Sequence, residues 1–117
     1  MATIDDVRRI ALSLPGAEER ASHGGAPSFR TKPRGFAYYR DDVDAIVLYV
    51  PSEEDKHALI ASDPSLFFTE PHYDGYAVVL VRLAAVSVAE LTELVVDSWR
   101  LRAPKRDVAT WDRDHQT

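Results

Sequence analysis

Residues 76–83 constrain the fold more than any other part of the chain. Alternate positions are apolar on both sides, with Ala77, Val79, Val81 and Leu83 on one and Tyr76, Val78 and Leu80 on the other. A strand with two apolar faces is normally interior and covered on both sides. Residues 45–50 repeat the pattern, so the chain needs a sheet with a layer over each face.

The flanking segments supply that sheet and one layer. Ile4, Val7, Ile10, Ala11 and Leu14 recur at helical spacing, with Thr3 and Asp6 placed as a capping box and Pro15-Gly16 as a stop. Residues 17–25 read as a loop. Residues 28–31, 36–40 and 44–50 are short aromatic and β-branched runs separated by turns, which predicts a three-stranded meander. Ser52 caps a second helix that opens with Glu53, Glu54 and Asp55 and ends near Asp63-Pro64. Residues 66–69 and 76–83 then flank an Asp74-Gly75 hairpin signal. Ser87 and Glu90 start a third helix, whose apolar stripe runs through Val88, Leu91, Leu94, Val95, Trp99 and Leu101. The predicted fold is α+β, an antiparallel five-stranded sheet with helices on one face, in the order α-β-β-β-α-β-β-α. One domain is expected over residues 1–106, followed by a polar tail over 107–117 with Trp111 as its aromatic anchor.

At 117 residues the chain suits one domain, which can hold a core without disulfides or metals. It has no cysteine, which excludes disulfides, thiolate zinc, iron–sulfur clusters and thiol nucleophiles. No run approaches the roughly 18 apolar residues of a membrane span, and no export signal is apparent at the N-terminus, so a cytoplasmic protein without membrane contact is expected. The histidines His23, His57, His72 and His115 lack metal-pair spacing, and Asp41, Asp42 and Asp44 lack a calcium loop's closing glutamate. No metal or cofactor is expected.

Glu18, Glu19 and His23 share the first loop, with Ser22 and Gly24-Gly25 beside them. A carboxylate and an imidazole there could act as base and orienter, but no nucleophile stands at an established spacing, and the preferred reading is a loop-fixing histidine. An enzyme is not expected. His72, beside a turn, is placed to stack or hydrogen-bond locally.

Charge layout is more informative. The net charge is −5, yet residues 26–40 hold Arg30, Lys32, Arg34 and Arg40 with no acid, and residues 98–106 hold Arg100, Arg102, Lys105 and Arg106 with none. Such segregation can place a cationic patch on an anionic body, and a phosphate backbone responds to local potential; the competing reading is that Arg100 and Arg102 complement the negative end of the last helix while Arg30 and Lys32 pair with acids across strands. Phe29, Phe36, Tyr38 and Tyr39 interleave with the first cluster, as a stacking surface would require. Strict alternation puts Phe36, Tyr38 and Arg40 on one face and Ala37 and Tyr39 on the other.

Glu18-Glu19, Ser22-His23-Gly24, Pro27-Ser28-Phe29-Arg30, Gly35-Phe36-Ala37, Asp63-Pro64 with Phe67-Phe68, Trp99-Arg100-Leu101 and Ala103-Pro104-Lys105-Arg106 follow one another in an order that resembles the MmcQ/YjbR family of small bacterial proteins. The resemblance implies a CyaY-like α+β fold and a proposed double-wing DNA-binding design in which hairpins contact nucleic acid, with no catalytic residues attached. It implies DNA as the partner, met by Arg30, Lys32 and Arg34 on the first hairpin and by Lys105 and Arg106. The chain departs from the family in having Gly75-Tyr76 where many members have glycine-tryptophan, and its second hairpin, residues 71–75, carries Asp74 but no Lys or Arg.

Two functional expectations follow. The first is a non-enzymatic module contacting DNA phosphates through Arg30, Lys32, Arg34, Arg40, Arg100, Arg102, Lys105 and Arg106. The alternative is a small-ligand or protein-interaction module, a homodimer included, using the apolar sheet face around Tyr38, Tyr49 and Tyr76, because three helices cover only one side of a sheet.

Overall fold

The computed structural model describes residues 1–22, 24–32 and 34–115. Helix α1 (Ile4–Leu12) is followed by strands β1 (Glu18–Ala21), β2 (Pro27–Arg30), β3 (Gly35–Arg40) and β4 (Ala45–Tyr49). Helix α2 (Glu53–Ser62), strand β5 (Phe67–Phe68), a 3-10 turn at Pro71–Tyr73 and strand β6 (Val78–Arg82) lead to helices α3 (Val88–Arg102) and α4 (Lys105–Asp114). All pairings are antiparallel, in the order β1-β2-β3-β4-β6-β5. The α+β class holds, with six strands in place of five.

The caps behave as their chemistry requires. Thr3 Oγ1 accepts the Asp6 amide and the Asp6 carboxylate accepts the Thr3 amide, while Ser52 and Ser87 accept from Asp55 and Glu90. Strand β6 lies between β4 and β5 with Val79, Leu80 and Val81 fully buried, the interior position its two apolar faces demand.

Four departures have physical causes. The expected loop over 17–25 contains β1, an edge strand of sequence Glu-Glu-Arg-Ala. Charged edge strands resist edge-to-edge aggregation and carry no apolar alternation to detect. The ladder shifts register between Phe29 and Arg30, a bulge that seats Phe36 in the same buried cluster as Ala37 and so breaks the expected alternation in β3. The Asp74-Gly75 hairpin is replaced by the 3-10 turn, with Gly75 at φ +84 reversing the chain after it. The expected polar tail is α4, which crosses the anticipated boundary at residue 106. Trp111 packs on Trp99 at 6.0 Å between ring centroids, Val108 packs against the main core and Asp112 pairs with Arg100, so apolar contacts and an ion pair dock the helix.

The two sheet faces differ in what covers them. Phe29, Ala37, Ile46, Leu48, Val79 and Val81 join Val7, Ile10, Leu91, Val95 and Trp99 in the main core beneath α1 and α3. Trp99 is wholly buried and its Nε1 donates to Pro15 O. On the opposite face Ala45, Val47, Val78 and Leu80 form a second buried cluster, flanked by Tyr38, Tyr49, Phe68 and Tyr73. The chain therefore covers much of that face itself, with the segment between β5 and β6, and the burial of these strands calls for no second copy.

Candidate functional site

Register decides which side chains share the open face. Arg20, Ser28, Tyr38, Val47, Leu80 and Phe68 are successive cross-strand partners, as are Arg40, Ala45 and Arg82, and Tyr49 with Val78. Tyr38, Tyr49, Tyr73, Tyr76 and His72 wall a cavity of about 240 Å³ on this face. Val47 and Val78 form its apolar floor. Tyr38 and Tyr49 meet edge to face at 6.4 Å, and His72 and Tyr73 do so at 4.9 Å. Tyr76 keeps 63% of its surface exposed.

The segment bearing Tyr73 and Tyr76 is held from behind. Lys56 projects from α2, is 1% exposed, and its Nζ donates to Tyr73 O at 2.7 Å and Tyr76 O at 3.0 Å. A buried ammonium is tolerated only where acceptors replace water, and two carbonyls do so here. On the far side Arg40 forms a fork with Asp42 at 2.7 and 2.9 Å and donates to Glu70 and to the Tyr73 hydroxyl.

Beside the cavity lies a hollow of about 360 Å³ that shares Tyr38 as a wall and is lined by Arg20, Ser28, Arg30 and Gly35. The Tyr38 hydroxyl sits so close to Gly35 that a Cβ there would approach it to 2.0 Å, so glycine is what admits the ring. Arg102, at the end of α3, donates from Nε to Gly35 O at 3.0 Å, and its guanidinium lies 4.1 Å from the centre of the Tyr49 ring. Burial, then Tyr49, push the Tyr38 hydroxyl above its ordinary pKa, while the Arg102 and Arg30 cations pull it back.

The predicted residues thus fall into groups. Arg30 and Arg102, one from each basic segment, converge on Tyr38 and Gly35, and Lys32 and Arg34 are exposed on the adjoining turn. Lys105 and Arg106 are exposed at the start of α4, where Asp107 lies beside Gly16. Arg40 and Arg100 do not join the patch, because Arg40 serves the Asp42–Glu70 clamp and Arg100 pairs with Asp112.

The expected loop site disperses. Glu18 and Glu19 occupy a strand and point to opposite faces: Glu19 pairs with Arg8 of α1 at 2.7 Å, and Glu18 accepts from Arg20 at 3.0 Å. His23 lies outside the described residues. The acidic turn is satisfied internally: Asp42 holds Arg40, and Asp44 accepts from the Tyr39 hydroxyl at 2.8 Å, which pushes that phenol up to about 12. Among the described residues no group of three or more His, Asp or Glu is placed to hold a metal.

Sequence reasoning missed Lys56, Tyr73, Arg20 and Arg82. Arg82 was detectable, because it shares the alternation of Val78 and Leu80; it caps the Phe68 ring at 4.0 Å. Lys56 left no signal, being one base in an acidic helix. A larger groove of about 740 Å³ runs between α2 and α3 over Leu48, Leu59, Val79 and Leu94; Asp55 and Asp97 line it, and its arginine, Arg100, is paired with Asp112, which disfavours an anionic ligand. Among the described residues no helix is long and apolar enough to cross a membrane.

Comparison with known proteins agrees with this architecture. A model of the family described as YjbR matches residues 12–101. Uncharacterized proteins of Mycobacterium bovis and Mycobacterium tuberculosis are each 37% identical over 123 residues, covering 91% of this chain and 92% of theirs. The crystal structure of a Deinococcus radiodurans protein with a DUF419 domain superposes with a TM-score of 0.74 at 26% identity, covering 86% of this chain and 78% of that one.

Proposed function

The chain belongs to the YjbR family, and from that premise we propose that it is a non-enzymatic module that binds DNA mainly through phosphate contacts. One observation carries the reading: Arg102 of α3 is hydrogen-bonded to Gly35, where the β2–β3 hairpin ends, so the two acid-free basic segments meet at one corner. Arg30, Lys32, Arg34 and Arg102 are its phosphate contacts, with Lys105 and Arg106 as outlying ones. Arg40 and Arg100 take no part, because carboxylates already hold them.

The test is fluorescence anisotropy of a labelled oligonucleotide titrated at two salt concentrations. Each phosphate contact adds about 0.7 to the slope of log K against log salt on single strands and about 0.9 on duplex, so four contacts give a slope of about −3 to −4. The Lys32→Glu/Arg34→Glu double variant changes two exposed side chains and should weaken binding while flattening that slope. Absence of binding to either single or double strands at low salt sinks the reading.

A second reading, a small-molecule or partner-protein module, has the tyrosine cavity in its favour. It gains if the chain binds a free aromatic compound and ignores oligonucleotides.

A further inference from the structure

We propose that the tyrosine cavity receives one unpaired base of single-stranded DNA while the neighbouring arginine-lined hollow takes the phosphate attached to it. The inference rests on the nucleic-acid reading above and names the strand form and the contact that reading leaves open.

Three observations carry it. The two hollows share Tyr38, with an aromatic enclosure on one side and Arg20 and Arg30 on the other. A nucleotide has the same division, a flat apolar base joined to an anion. Size is the second observation. At about 240 Å³ the cavity falls below the roughly 300 Å³ at which drug-sized pockets begin, so it suits a single ring system and not a stacked pair. Rigidity is the third. Tyr76 is largely exposed, yet its segment is fastened by Lys56 and by the Arg40 clamp, so the ring is presented without a large ordering cost. A base inside a duplex would have to leave its stack to reach the floor at Val47, whereas a single strand offers it freely.

Charge supports the same occupant. The guanidinium of Arg102 lies over one face of Tyr49, a wall of the cavity, and among the described residues no carboxylate pairs with Arg102. Glu18 accepts from Arg20 and offsets part of the charge of that hollow, while Arg102 adds a cation at its Gly35 edge.

The experiment compares three probes at low salt: a single-stranded DNA oligomer, its duplex, and an oligomer of the same length containing abasic sugars. Stacking of one base contributes a factor of about ten. The expected result is that the single strand binds about tenfold more tightly than the duplex and the abasic oligomer. Tyr76→Ala, an exposed position, should remove most of that advantage while leaving duplex affinity and the salt slope unchanged. A 2-aminopurine base in the single strand should lose fluorescence on binding the wild type and not the variant. Equal affinity for all three probes, or a Tyr76→Ala variant that binds the single strand as well as wild type, overturns base capture and leaves the phosphate reading intact. No binding of any probe overturns both.

Discussion

Replacing Lys56 with methionine isolates the contribution of one buried charge to the shape of the binding face. Methionine keeps most of the aliphatic stem but cannot donate to Tyr73 O or Tyr76 O, which the ammonium reaches at 2.7 and 3.0 Å. A hydrogen bond from a charged donor contributes about 1.5–3 kcal/mol net. The lower end applies here, because Tyr76 is exposed and water can take over part of the role, so two bonds give about 3 kcal/mol. For a chain of this length each kcal/mol moves Tm by about 4 °C, which predicts a fall of about 12 °C. Urea denaturation followed by circular dichroism measures the free energy. Hydrogen exchange localises it, since the amides of Tyr73, Asp74 and Tyr76 close the turn onto Glu70, Pro71 and Tyr73 and should lose protection first. A loss under about 0.5 kcal/mol, with unchanged exchange at those amides, would refute the claim that Lys56 holds the segment in place.

Gly35→Ala tests the close approach of Tyr38: the ring's free end, not backbone, is the obstacle, so stability should change by less than about 1.5 kcal/mol while affinity for a single-stranded oligomer falls, and an undiminished affinity in anisotropy would count against the role of Tyr38. Ser98→Ala removes a buried hydroxyl that donates to Phe36 O and accepts from the Tyr49 amide; two orphaned groups at about 1–3 kcal/mol each predict a loss of about 2–6 kcal/mol in urea unfolding. The Arg40 fork holds the Asp42 carboxyl below its ordinary pKa, so its stabilisation is present above that ordinary value and is lost as pH falls through the depressed one; Asp42→Asn should therefore flatten the acid limb of the stability profile, and an unchanged limb would exclude Asp42 as a contributor.

Much of the fold was legible in the sequence because its signals are local. Thr3, Ser52 and Ser87 announced the helix starts, and two-sided apolar alternation placed β6 inside the sheet. Strand β1 was hidden because its contacts are made elsewhere: Glu19 is tied to Arg8 on a helix, and the backbone pairs with β2. The bulge at Phe29 and Arg30 likewise obeys the register of a partner strand, so alternation alone sent Phe36 to the wrong face. The tyrosines Tyr38, Tyr49 and Tyr76 were expected around one sheet face, and the cavity brings them together. The meeting of Arg102 with Gly35 was not legible, because α3 and the hairpin are brought together by tertiary packing, with Leu91, Val95, Ser98 and Trp99 sinking into the core.

The pairing of Trp99 with Trp111 divides the chromophores of this molecule by location. Both tryptophans of the chain stand on the helical side, while the cavity is walled by tyrosine and histidine. Excitation selective for indole will therefore follow the docking of the C-terminal helix and the integrity of the core. Phenolic absorbance, in contrast, includes whatever enters the opposite face. Indole emission can thus report the integrity of the core from the side of the molecule away from the cavity, without attaching a dye to the protein.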